Sequence, residues 1–292
     1  MGKTGELDSL RITVLVEDSV LYGSPCLAQH GVSFFLEGTK GPNTRRILVD
    51  VGQNSQALLN NMRLMHISPA TIDAIVLTHC HYDHTQGVVS MLKEMGKSDI
   101  PVIAHSDIFR LNFLTDPCIE HVGVMQTDSE EEIKKAGASL FLTKDPVMLM
   151  PGITTTGEVK RQTDFEGLGI GLKTIENGKI KDDSMLDDIS VIANVKGKGL
   201  VIVTGCSHAG IVNIARHAIE LTSCEKIEAI IGGLHLVEAS DGRIKRTVDA
   251  LSKLNPAWIC AGHCTGFKAQ VELYLVFAER FSPLHTGMQF EI

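Results

Sequence analysis

Residues 78–84 read Thr-His-Cys-His-Tyr-Asp-His, which packs three imidazoles and a carboxylate into the six positions from His79 to His84. The preceding stretch, 74–77, is apolar throughout, so the cluster sits at the end of a strand. Imidazole and carboxylate suit zinc, iron or manganese. A catalytic zinc ion keeps one position open for water and lowers its pKa to about 7. Side chains alternate along an extended segment, so His79 and His81 project to one side and Cys80 away from them. A turn after Tyr82 lets Asp83 and His84 face a second metal ion nearby. The bland alternative is a polar loop at a helix start with Asp83 as its cap, which the density of the HxHxDH pattern disfavours. Alternation likewise disfavours a nucleophile centred on Cys80.

Strands must carry this cluster. Val- and Ile-rich runs predict them at 12–16, 32–36, 47–51, 74–78 and 102–105. Helical patterns cover 55–65 and 88–95. Residues 106–150 break the rhythm with Asp116-Pro117, an acidic patch at 128–132 and Asp145-Pro146. They read as an insertion or lid, because loops of that length are uncommon unless functional. Two strand-like runs, 189–195 and 200–204, flank a glycine turn and suggest a hairpin. A helix at 211–221, a strand at 227–231, a helix at 244–254, a strand at 257–260, a helix at 269–278 and a short strand at 288–292 follow. No 20–50-residue repeat and no Gly/Ser/Pro-rich linker is visible, which predicts one domain over 1–292 with two structural halves.

Composition narrows the functional classes. The chain has 292 residues, 43% hydrophobic and 21% charged, which excludes a disordered chain. No run approaches the roughly 20 apolar residues of a bilayer span. Lys and Arg number 27 against 35 Asp and Glu, a net charge of −8, and no basic cluster offers a phosphate-backbone footprint, so no nucleic-acid partner is expected. The first eight residues lack a signal core, and Glu6 breaks the myristoylation pattern; a cytoplasmic location is expected. The seven cysteines (Cys26, Cys80, Cys118, Cys206, Cys224, Cys260, Cys264) contain no CxxC pair and read as thiols of a reducing compartment. Cys80, Cys206 and Cys264 stand out because each neighbours a notable histidine.

His79-x-His81-x-Asp83-His84 at a strand end resembles the signature of the metallo-β-lactamase superfamily. The segment 47–52, Ile-Leu-Val-Asp-Val-Gly, resembles the strand that precedes that signature. The resemblance implies an α/β fold, the αββα sandwich of two mixed β-sheets flanked by helices. It implies one or two divalent metal ions at the sheet edge, zinc first, with iron or manganese as alternatives. It gives Asp50 the part of orienting the metal loop. Four blocks narrow it further: Gln29-His30-Gly31-Val32-Ser33, residues 205–213 (Gly-Cys-Ser-His-Ala-Gly-Ile-Val-Asn), residues 230–236 (Ile-Ile-Gly-Gly-Leu-His-Leu) and His263-Cys264-Thr265-Gly266. They resemble a branch described as metal-dependent hydrolases, which includes the archaeal 7,8-dihydropterin-6-ylmethyl-4-(β-D-ribofuranosyl)aminobenzene 5′-phosphate synthase of methanopterin biosynthesis.

The superfamily also uses later ligands. His263, after a strand and a glycine, matches the last of them. The segment that normally carries the middle histidine has 155–159, Thr-Thr-Gly-Glu-Val, as its counterpart, with Glu158 in the histidine's place. Cys206 stands where the family has a bridging aspartate, and alternation puts His208 on the same side. The implied ligand set is therefore His79, His81, Asp83, His84, His208 and His263. Cys206, Glu158 and Asp50 are further candidates for ligation or for supporting a ligand. His235 follows two glycines, which let backbone approach a ligand closely, and reads as a pocket residue for substrate phosphate or proton transfer, with metal ligation open; the bland reading is a turn histidine. His30 lies in a matched block with no chemical argument of its own.

The function implied is a metal-dependent hydrolase or pterin-diphosphate-dependent transferase acting on a phosphorylated or pterin-like small molecule. Asp83 and His235 are its candidate catalytic residues, and a homo-oligomer is open. For hydrolysis, Asp83 would hold and orient water. For transfer, an aryl amine would displace diphosphate from a hydroxymethyl-dihydropterin diphosphate. The alternatives are a metal-bound sensor or interaction protein without turnover, and a di-iron redox protein, although an iron–oxygen reductase normally carries a flavodoxin-like domain for which this chain has no room. The −8 charge does not exclude phosphate substrates, since bound cations supply local positive charge.

Overall fold

The computed structural model describes residues 4–292. Two seven-stranded mixed sheets form its centre. The first runs, in spatial order, Gln289–Glu291, Ser9–Val16, Ser33–Lys40, Asn43–Val49, Ala74–Val76, Ile100–Ala104 and Ala138–Leu142. Its first four strands pair antiparallel and the rest parallel. The second runs Phe281–Pro283, Trp258–Gly262, Ile227–Gly233, Gly199–Thr204, Ser190–Val195, Ile153–Thr155 and Met148–Met150. Here the parallel pairs lie among the first four strands.

Alternation along the strands creates the layers. Ile47 and Val49 point into a core shared with Val201, Val203 and Ile231 of the other sheet, whereas Leu48 points outward. Behind the first sheet, Leu48, Ile75 and Val102 pack against Leu58 and Met62 of the helix Ser55–Leu64 and Met91 and Leu92 of the helix Val88–Met95. Behind the second, Ile202, Ile230 and Ile259 pack against the helices Ile211–Thr222, Asp241–Leu254 and Phe267–Phe277. Three buried interfaces between four layers make the αββα sandwich.

The expected irregular span 106–150 is narrower than the sequence suggested. Ala138–Leu142 extends the first sheet beside Ile100–Ala104, and Met148–Met150 extends the second beside Ile153–Thr155. Both are edge strands with mixed burial, and such strands carry little periodic signal. A small third sheet joins Phe113–Leu114 and Glu120–His121 to a hairpin, Lys173–Glu176 with Lys179–Asp182. Its turn, Asn177-Gly178, has φ of 52° and 74°, as a two-residue hairpin loop requires.

Candidate metal centre

The loop after Ala74–Val76 carries Thr78 to His81 and enters the short helix Tyr82–Thr85. Asp50, at the end of the neighbouring strand, fixes this loop. Its carboxylate accepts from the Thr78 backbone N–H and hydroxyl, both at 2.7 Å, and from His84 Nδ1 at 2.7 Å. With both oxygens engaged in this way, Asp50 orients the loop. Gly205 faces the same spot from the second sheet, and a Cβ there would come within 2.2 Å of Thr78 Oγ1, so only glycine lets the two sheet ends approach.

Two groups of ligand atoms result. His79, His81 and His208 form a near-equilateral triangle of rings, with centroids 4.7 to 4.8 Å apart. Beside them, Asp83 Oδ2 lies 3.3 Å from His84 Nε2 and 3.3 Å from His263 Nε2. Cys206 Sγ sits between the groups, 3.2 Å from His84 Nε2 and 3.4 Å from His263 Nε2, and its sulfur also converges with His79 and His208.

The donor chemistry fits divalent cations. His79 Nε2 and both nitrogens of His208 are buried without a hydrogen-bond partner, which is costly unless something else accepts their lone pairs. Burial and the surrounding imidazoles hold His79 and His208 well below the usual histidine range, and burial brings His81 down to about 4. All three are neutral imidazoles. The other group asks for positive charge. Burial opposes protonation of His84, but the Asp83 and Asp50 carboxylates outweigh it and raise it to about 10. At His263 burial is outweighed in the same way by Cys264, Asp18 and Asp83.

The candidate ligand side chains are themselves held. His81 Nε2 contacts Asn112 Oδ1 at 3.1 Å, and Asn112 Nδ2 donates to Asp183 at 2.8 Å, which leaves His81 Nδ1 for a metal. Asp18 Oδ1 accepts from His263 Nδ1 at 3.0 Å, and Glu17 accepts from the His263 backbone N–H. Asp18 Oδ2 also meets His30 Nδ1 at 3.2 Å, while His30 Nε2 lies 3.4 Å from Asp83.

The structure thus brings together His79, His81, Asp83, His84, Cys206, His208 and His263, with Asp50 behind them and the His235 ring beside that of His208, tilted by 50° at a centroid distance of 4.1 Å. Glu158 is placed differently. Its carboxylate meets His105 Nε2 at 3.4 Å and Lys144 at 3.6 Å, and it is not among the converging donors. Asp18 and Asn112 escaped the sequence reading, and His30 was noted only as part of a matched block, with no chemical role. The one available signal was the acidic pair Glu17-Asp18 directly after an apolar strand. The cavity above the cluster measures about 300 Å³, and its lining includes Asp83, His208 and His263 together with Leu114, Val122, Ile170 and Leu172.

An αββα sandwich with convergent imidazoles and carboxylates at its strand ends defines a metallo-β-lactamase-type protein. The sequence model described as Beta-lactamase superfamily domain matches residues 45–139. Over 286 residues, 97% of each chain, the sequence is 42% identical to the 7,8-dihydropterin-6-methyl-4-(beta-D-ribofuranosyl)-aminobenzene-5'-phosphate synthase of Methanocaldococcus jannaschii. It is 36% identical to an uncharacterized protein of the same archaeon over 265 residues, 90% of this chain and 93% of the other. Among solved structures it resembles Tm1679, described as a metal-dependent hydrolase of the beta-lactamase superfamily, with a TM-score of 0.80 at 23% identity over 97% of this chain and 99% of that one. The metallo-beta-lactamase fold protein YhfI from Bacillus subtilis gives 0.58 at 16% identity, over 98% and 100% of the two chains. The chain belongs to the metallo-β-lactamase superfamily, in the branch that contains the Methanocaldococcus synthase.

Proposed function

We propose that this chain is a cytoplasmic, metal-dependent enzyme that joins a dihydropterin bearing a diphosphate leaving group to the amine of an aryl ribosyl 5′-phosphate. The name of the Methanocaldococcus relative describes such a coupled product. The observation that carries this reading is the cavity lined both by metal-type donors, Asp83, His208 and His263 among them, and by the aliphatic side chains Leu114, Val122, Ile170 and Leu172. A flat heteroaromatic ring suits the aliphatic side chains, and a diphosphate suits the donors.

His79, His81 and His208 would hold one cation, and Asp83, His84 and His263, with Cys206 between, a second. When bound, these cations supply the positive charge that clamps a diphosphate and stabilises it as a leaving group. The amine nitrogen attacks the pterin methylene carbon, a C–N bond forms, the C–O bond to diphosphate breaks, and the amine proton passes to solvent. Asp83, facing the cavity, orients the reacting group, and His235 meets the phosphate end. Leu114 and Val122 come from the segment after 106, so that segment serves as a cover over the cavity of one catalytic domain.

The test is product mass after the metal-loaded protein is incubated with the dihydropterin diphosphate, with and without the aryl amine. A coupled mass that requires the amine supports transfer. Diphosphate release without amine reassigns the site to hydrolysis, and no coupled product from a fully loaded site refutes the synthase reading.

A further inference from the structure

Cys206 Sγ belongs to three sets of converging donor atoms. Two of them, with His79 and His208 and with His84 and His263, make up the centre described above. In the third, the ligand atoms of Cys206, His235 and Cys264 all lie within 4.8 Å of one another.

Local structure presses this third set together. The turn after the strand Ile227–Gly233 is laced to the turn after Trp258–Gly262: the Leu236 and Val237 N–H groups both donate to the Cys264 carbonyl at 2.9 Å, and the Leu234 N–H donates to Thr265 Oγ1 at 3.0 Å. Gly233 leaves no slack, because a Cβ there would stand 2.7 Å from Cys264 Sγ. The His235 backbone N–H donates to Cys264 Sγ at 3.2 Å, and the Cys264 thiol faces the Cys206 carbonyl at 3.4 Å. His235 is 9% exposed, and its Nδ1 is buried with no hydrogen-bond partner. Left so, that nitrogen is an unsatisfied polar group.

We propose that His235 and Cys264, sharing Cys206, form a third metal-binding position, rich in sulfur and next to the imidazole–carboxylate pair. Two sulfurs and one imidazole select borderline-soft cations such as zinc or cobalt(II) over manganese or magnesium. All three residues line the cavity, so the fourth coordination place opens toward substrate, as a catalytic zinc site requires. The position deepens the proposed function by giving the phosphate end of a substrate a further cation to meet, and it rests on the reading that the cluster holds metal.

Cobalt(II) titration of the full chain tests it, reading both equivalents bound and sulfur-to-cobalt absorption. Cys264→Ser and His235→Ala should each bind one equivalent fewer than the wild type, and Cys264→Ser should also lose part of the sulfur band. Manganese loading should be the same in wild type and variants. Unchanged cobalt stoichiometry and absorption in Cys264→Ser overturn the third position while leaving the two-cation centre intact. A wild type that takes up no cobalt overturns both readings. X-ray absorption of the zinc-loaded wild type is independent of variant folding: sulfur neighbours at about 2.3 Å from two cysteines support the proposal, and a single sulfur overturns it.

Discussion

The two oxygens of Asp50 accept from three donors and are fully buried. Because His84 Nδ1 is spent on Asp50, its Nε2 is the atom that faces Asp83 and Cys206. Removing such a partner typically weakens metal binding about 10–100-fold. Asp50→Ala should fall in that range by competition with a chromophoric chelator, and wild-type affinity would remove Asp50 from the orienting role. A contrast applies to the proposed ligands. His81→Ala or His263→Ala should lose most bound metal, whereas Glu158→Gln should keep it, because that carboxylate faces His105 and Lys144; elemental analysis of the three proteins decides. His79, His81, Asp83 and His84 were legible because four metal-type side chains in six residues are hard to explain otherwise. Asp18 was not: it meets His263 across 245 positions of sequence, and alone it looks like any strand-end acid.

The loop that carries His79 and His81 is also held by residues the sequence left unexplained. The Cys80 N–H donates to Asp187 at 2.8 Å, and Arg110 stands between Asp187 and Asp183. Arg110 donates to both oxygens of Asp183, while its 2.8 Å contact with Asp187 is an ion pair without hydrogen-bond alignment. Both carboxylates are nearly inaccessible. Arg110→Met strands two buried negative charges, a loss expected to cost about 3–5 kcal/mol. Denaturant unfolding checks it, and a change below about 1 kcal/mol would mean that water or rearrangement replaces the guanidinium. The strands and helices of the two sheets could be read because their apolar faces repeat, as in Val88–Met95, where expectation and structure coincide. Ala138–Leu142 and Lys173–Glu176 could not, because half-exposed strands give little hydrophobic period.

At the scale of the molecule, the donor cluster is where the two sheets meet. His79 to His84 follow a strand of the first sheet, whereas Cys206 and His263 follow strands of the second. A cation bound by both groups therefore links the halves of the sandwich as well as serving chemistry. Binding to the folded chain alone stabilises it by about 2.7 kcal/mol at a free metal concentration 100 times Kd. For a domain of this size each kcal/mol moves Tm by about 2–4 °C, so chelation should lower Tm by roughly 5–10 °C. The shift should grow with metal concentration in the wild type and shrink in His79→Ala, whose unfolding temperature should lie near that of the chelated wild type. An identical Tm with and without chelator would mean that the two sheet ends are held by packing alone. The buried, unpaired nitrogens of His79 and His208 would then be a standing cost with no compensating ligand.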